Sequence, residues 1–257
     1  MGRPPFLSGV TTIAAVLAIW AVATHLRIVP DYVLARPENV LWALVEHRSL
    51  FARHLAVTAA EAGVGALFAS VLGVLFGWAF AYSLRIERAL SPFLVGSQVF
   101  PKEALAPLIL ILFGYGIPSK IVVSALLSFF PMCISTLTGA RATPVALVDY
   151  GKSLGLSRFA LFRLIIIPHS LPFASAALKV AFTLSIIGAI VGEFIGSQAG
   201  LGYLIRTAAA SFATDEVYGS LVLLGILGGI FYSIAVAIDR IMSTRFPING
   251  VAHDTEC

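Results

Sequence analysis

Five ionisable side chains fall inside long apolar stretches of this sequence: Glu61, Lys102, Glu103, Lys179 and Glu193. A charge at the centre of a bilayer costs about 2.5–3.5 kcal/mol on insertion scales, so such groups face water, protein or a counter-charge. Two roles suit them: lining a wet path that passes a polar solute, or pairing between helices to fix their packing. Both stay open for Glu61, Lys102, Glu103 and Glu193. Lys179 and Glu193 stand 14 residues apart, which on one helix face separates them by about 21 Å and rules out a mutual pair. Lys102 and Glu103 lie between Pro101 and Pro107, whose rings leave backbone carbonyls that neighbours must satisfy.

Other chemistries find little support. The histidines, His25, His47, His54, His169 and His253, all sit at the ends of apolar runs or between them. A serine-type site needs a base beside its nucleophile, and zinc hydrolysis needs an HExxH-like pair that does not occur. Phe113-Gly114-Tyr115-Gly116 contains the Gly-Tyr-Gly of potassium filters, but the preceding Thr-Val is missing and Pro118 follows, so it reads as a turn. No Gly-x-x-x-x-Gly-Lys-Ser/Thr occurs, so the chain has no phosphate-cradling loop of that kind. Cys133 lies in an apolar run and Cys257 ends the chain, with neither disulfide nor metal spacing. No catalytic residue and no metal ligand are assigned.

The elements that position these charges follow from composition. The chain has 257 residues, 59% of them apolar and only 12% charged, with mean hydropathy +0.95. A soluble fold of this size needs more polar surface, so an ordinary cytosolic enzyme, a disordered tail and a secreted disulfide scaffold are excluded. The net charge of +4 is too small to mark a nucleic-acid partner. With about 20 apolar residues per span, the chain accommodates about six and no separate soluble domain.

The expected fold is all-α, a polytopic membrane protein with six transmembrane helices forming one domain over residues 1–257. Span one covers 7–26. Ala21-Val22-Ala23 looks like a cleavage site, but the run is long and only Arg3 precedes it, so it reads as a span. A short interfacial helix is expected near residues 40–50. Span two covers 55–83, with Gly63, Gly65, Gly73 and Gly77 permitting close helix approach. Spans three to six cover 90–113, 120–138, 171–195 and 217–238, with Pro131 as an expected kink in span four. An even number of spans puts both termini on one side. That side collects Arg3, Arg85, Arg88, Arg141, Lys152, Arg158, Arg163, Arg240 and Arg245, against Arg27, Arg36, Arg48, Arg53, Lys120 and Arg206 opposite. The bias places both termini, and residues 139–169, in the cytoplasm.

That cytoplasmic segment holds Asp149-Tyr150-Gly151-Lys152-Ser153-Leu154-Gly155 and then Ile165-Ile166-Ile167-Pro168. Its helical apolar pattern breaks at Gly155, which can take the positive φ of a sharp bend. Leu154, Phe159, Leu161 and Phe162 stand beside Arg158 and Arg163, a semi-polar pair of helices suited to dock in a groove or to lie on anionic lipid. The spacing from glycine to isoleucine to proline resembles the signature loop of ABC-transporter permeases, the membrane subunits of bacterial importers. In that family the loop begins Glu-Ala-Ala, where this chain has Asp149-Tyr150-Gly151; the charge is kept, but Tyr150 is bulky.

The resemblance covers nearly the whole chain. Thr58 and Glu61, Gln98, Pro101-Lys102, Ala106-Pro107-Leu108, Phe113-Gly114-Tyr115-Gly116, Ser119-Lys120, Gly192-Glu193-Phe194 and Gly200-Leu201-Gly202-Tyr203-Leu204-Ile205 all look like the nitrate, sulfonate, taurine and bicarbonate importer group. Glu61 and Pro101-Lys102 depart from the sulfonate-type pattern of Arg and Pro-Pro. They look closer to a branch handling pyrimidine-type thiamine precursors and other heterocycles. The resemblance implies the type I importer permease fold in a bacterial inner membrane. It implies a second permease chain, two ATP-binding subunits that carry the ATP and Mg, and an extracytoplasmic substrate-binding protein. It implies no cofactor in this chain. Residues 139–169 become the coupling loop, with Asp149, Tyr150, Gly151, Leu154, Gly155, Arg158 and Pro168 as its coupling residues. Glu61, Lys102, Glu103 and Glu193 become candidates for the translocation path. A carrier or channel working without an ATPase is the alternative, and an intramembrane enzyme the remaining one.

Overall fold

The computed structural model describes residues 5–26, 29–30 and 33–246, which among themselves form helices and no strand. In chain order these are α1 (Pro5–His25), α2 (Pro37–Glu46), α3 (Arg48–Tyr82), α4 (Leu84–Val99), α5 (Ala106–Phe113), α6 (Ile117–Arg141), α7 (Val145–Ser153), α8 (Arg158–Leu161), α9 (Ile167–Gly196), α10 (Leu201–Ala210) and α11 (Thr214–Arg245). A 3₁₀ turn, Lys102–Leu105, precedes α5, and a π-helical turn, Phe162–Ile166, joins α8 to α9.

Of the expected spans, α3, α6, the run Arg158–Gly196 and α11 are long and apolar enough to cross a membrane. Span one falls on α1, of which Ala14–His25 is a shorter apolar helix, and the expected interfacial helix falls on α2, so among the described residues four helices, or five with the bent pair below, meet the length and apolarity of a span where six are expected. Span three is not the continuous helix expected. Pro92–Val99 and Lys102–Phe113 meet at 90°. Phe100 is extended there and Pro101 carries no N–H, so the helical ladder stops between the two pieces. The helix α10 was not foreseen; it follows the glycine turn directly, with Gly200 at φ +104° before its first residue. Cys133 is a buried free thiol, whereas Cys257 and His253 lie outside the described residues.

The chain divides into two compact units. The first takes in residues 1–57 and 198–225. Here the Trp20 indole donates to the Ala35 carbonyl at 2.9 Å, and Tyr218 donates to the Val33 carbonyl at 3.1 Å, so the non-helical link before α2 is tied to α1 and α11. Val40, Phe51, Leu201 and Leu204 are buried. The Gly200 N–H donates to His54 Nδ1 at 3.0 Å, and the His54 ring stacks on Tyr203. This joins the start of α3 to the start of α10.

The second unit takes in residues 58–197 and 226–257. Its centre is α6, packed along α9 and α3. A Cβ added at Gly188 would lie 2.6 Å from Ser124 Cα, and one at Gly77 would lie 2.7 Å from Thr136 Cβ. Hydrogen at these positions lets the backbones close, and the serines of α6 use the approach. Ser124 donates to the Ser185 carbonyl, Ser128 to Ala181 (both 2.8 Å) and Ser135 to Phe173 at 3.0 Å. With no water in the hydrocarbon layer, small residues and cross-helix hydroxyls are what hold such helices together.

Candidate functional site

The segment expected to couple, residues 139–169, is shaped by a defined helix stop. After Leu154, Gly155 adopts φ +75°. Its N–H donates to the Lys152 carbonyl at 2.9 Å, and the Leu156 N–H reaches back to Gly151 at 3.2 Å. These two bonds are the Schellman arrangement, which needs a left-handed residue at this position. Ser157 then starts the next helix: it is extended, and its Oγ accepts from the Ala160 N–H at 3.3 Å. A Cβ added at Gly155 meets nothing within 4 Å, so its glycine serves the backbone alone. Gly151 has the opposite reason. A Cβ there would collide with Leu161 Cδ2 and lie 2.7 Å from Ile165 Cδ1, because α8 and the π turn fold back onto α7.

The apolar residues of this segment separate into two faces. Tyr150, Leu154 and Phe159 point outward, at 64%, 62% and 62% exposure. Leu161 and Phe162 are buried, because the bend at Gly155 returns the chain onto α7. Asp149 pairs with Lys152 at 2.8 Å in solvent. Arg158, itself exposed, donates to the Tyr82 carbonyl at the end of α3. Pro168 lies in the first turn of α9 and has no N–H to give Leu164. The preceding Ile167 N–H bonds to Phe162, five residues back, and the π turn absorbs the mismatch.

The four path candidates divide into two pairs. Glu61 and Glu193 come together, 1% and 0% exposed, between α3 and α9. Thr58 donates to Glu193 Oε1 at 2.6 Å. Both Glu193 and the Lys120 ammonium act electrostatically on Glu61, whose own oxygens accept no hydrogen bond from the described residues. Lys120, counted in a loop from sequence, is 3% exposed and donates to the carbonyls of Tyr115 at 3.0 Å and Gly116 at 3.3 Å. Lys102 and Glu103 are elsewhere, on the 3₁₀ turn at the break of span three. Lys102 donates to the Ser97 carbonyl at 2.6 Å and lies 5.5 Å from the centre of the Phe130 ring. It edges an open cleft of about 450 Å³ with Gln98, Phe130, Ser135 and Thr138. Glu103 is exposed.

Sequence reasoning missed the partner of Lys179. Its ammonium pairs with Asp239 of α11 at 2.6 Å, and Ser175 donates to the other Asp239 oxygen at 2.7 Å. Opposite charges, Lys179 in span five and Asp239 just past the end of span six, are the sequence signal for this pair. Among the described residues no cluster of side chains is suited to hold a metal ion.

Comparison with known proteins adds five findings. Residues 69–246 match the model of the binding-protein-dependent transport system inner membrane component family. A probable ABC transporter permease protein of Haemophilus influenzae is 35% identical over 212 residues, covering 82% of this chain and 86% of that one. The formylaminopyrimidine transport permease protein of Halalkalibacterium halodurans is 33% identical over 227 residues, covering 88% and 90%. The riboflavin transport system permease protein of Chloroflexus aurantiacus is 31% identical over 241 residues, covering 93% and 90%. Among solved structures, an inward-facing MetNI methionine ABC transporter chain aligns with TM-score 0.68 at 18% identity, over 77% of this chain and 98% of that one.

Proposed function

Since the chain belongs to the family of binding-protein-dependent transport system inner membrane components, the permeases of ABC importers, we propose that it moves a small polar solute into the cytoplasm, driven by a separate ATPase that docks on residues 139–169. The observation that carries this reading is the bend at Gly155. It holds Tyr150, Leu154 and Phe159 outward on a short helix pair whose inner face is already packed. Exposed apolar groups beside Asp149 and Lys152 suit a groove in another protein. The same segment is fused through the π turn to α9, so force applied there enters a span directly.

The assembly has a second copy of the chain, two ATP-binding subunits holding ATP and Mg, and an extracytoplasmic substrate-binding protein. The complex sits in a bacterial inner membrane with both termini cytoplasmic. Lys102 and Glu103, on the accessible break of span three, line the path. Glu61 and Glu193 lie behind it and meet the path only when α3 and α9 part. The solute is a pyrimidine-type, aromatic or other heterocyclic molecule, or a sulfonate- or nitrate-like anion. The relatives named for formylaminopyrimidine, riboflavin, aliphatic sulfonates and taurine support that range.

The test is purification of the tagged chain from its native membrane in mild detergent, with the ligand of the co-purifying binding protein identified by mass spectrometry. The expected result is retention of an ATPase whose hydrolysis rises when loaded binding protein is added. A chain that transports its solute after reconstitution without any ATPase is a carrier or channel, and the reading fails.

A further inference from the structure

The coupling segment is continuous with α9, whereas α3 meets it through non-covalent contacts at its C-terminal end. Tyr82 is the last residue of α3, and Ser83 leaves the helix at φ −129°. The closing carbonyls of a helix have no partner within it. Arg158 Nη2 donates to the Tyr82 carbonyl at 2.6 Å, and the guanidinium lies 4.9 Å from the centre of the Tyr82 ring. A cation at a helix C-terminus also opposes the partial negative charge gathered there. Phe162 meets the same ring edge-on at 5.0 Å between centres. One turn further into α3, the Trp78 indole donates to Ser170 Oγ of α9 at 2.8 Å. Arg158 therefore engages α3 in two ways, by hydrogen bond and over an aromatic face, and planar guanidinium is the side chain able to do both at once.

We infer that Arg158 is a positioning residue that transmits movement of the coupling segment to α3, rather than a contact for the ATPase. This rests on the reading of residues 139–169 as the coupling loop. With the clasp closed, displacement of α7 and α8 carries α3 along with α9. With it open, α9 moves and α3 lags. Because α3 holds Thr58 and Glu61 against Glu193, the lag would leave the far ends of the two helices in their resting arrangement.

The experiment measures solute imported per ATP hydrolysed, with the assembled complex in proteoliposomes and ATPase retention scored beside it. Arg158→Ala is expected to keep the ATPase bound while the ratio falls about fivefold or more, as loss of a charged hydrogen bond in a moving joint predicts. Tyr82→Ala keeps the main-chain acceptor and removes only the ring, so its ratio falls less, by about two- to fivefold as loss of a cation–π contact predicts. Arg158→Lys retains the charge but not the planar fork and falls between. Tyr82→Phe keeps both carbonyl and ring and behaves as wild type. An Arg158→Ala complex with an unchanged ratio overturns the inference. So does one that sheds its ATPase, since Arg158 would then belong to the docking face. A wild-type chain that never retains an ATPase instead defeats the coupling reading itself.

Discussion

Replacing Gly155 separates backbone geometry from packing, because the site offers space but not conformational choice. A Cβ there touches nothing within 4 Å, yet the residue sits at φ +75°. For an L-residue the left-handed region costs about 1–2 kcal/mol, and a β-branched side chain stands at or above the upper end. One or two kcal/mol changes a population about 5–30-fold, so Gly155→Val should deplete the bent conformer by about that factor. Asn tolerates this region through local hydrogen bonding, so Gly155→Asn should stay near wild type although its side chain is the more polar. The assay is ATPase retention by the tagged permease, followed by hydrolysis stimulated by loaded binding protein, with membrane insertion scored in parallel. Both readouts should fall for Val and hold for Asn, with insertion equal in all three. If Val matches wild type, or if Asn fails as badly as Val, the bend is not what the ATPase engages.

Three further outcomes follow from the packing. Gly188→Val should lower the melting temperature in detergent by overpacking worth about 1–3 kcal/mol, because its Cβ would lie 2.6 Å from Ser124 Cα; an unchanged melting curve contradicts the close approach of α6 and α9. Thr58→Val keeps the shape but removes the 2.6 Å donor to Glu193, and should cost about 1.5–3 kcal/mol, read by the same melt; Thr58→Ser should recover most of it. Neutralising either Lys179 or Asp239 alone should destabilise by about 1–2 kcal/mol, while exchanging the two charges should restore stability. Failure of the exchange to rescue would mean that the 2.6 Å pair does not hold α9 to α11.

Legibility in the sequence followed the range of the interaction. Apolar length marked α3, α6, α9 and α11, and the spacing around Gly155 located both the bend and its positive φ, because a Schellman stop is settled within six residues. Gly65, Gly73 and Gly77 were legible as close-approach positions for the same local reason, and all three would drive a Cβ into α6. The 90° turn in span three was only half legible: Pro101 signalled an interruption, but the direction depends on what α5 packs against. The α10 helix was hidden because its ten residues follow a glycine turn and fall short of a span. Lys120 and the Lys179–Asp239 pair were opaque. A lysine at a helix start reads as a loop charge until its carbonyl partners are known, and residues on different spans meet through tertiary packing alone.

The run from Arg158 to Gly196 counts 39 residues, about twice what one crossing of the hydrocarbon layer needs. At 1.5 Å per residue, Glu193 stands about 53 Å from Arg158 along its axis, so a 10° tilt about one end displaces the other by about 9 Å. That is mechanical gain: a motion of small angle at one end of the helix becomes a displacement of small-molecule size at the other. The π turn at Phe162–Ile166 lies near the Arg158 end of this run, the end that the proposed ATPase docking would drive. Compliance placed there softens the stroke at its source while leaving the long arm beyond it stiff.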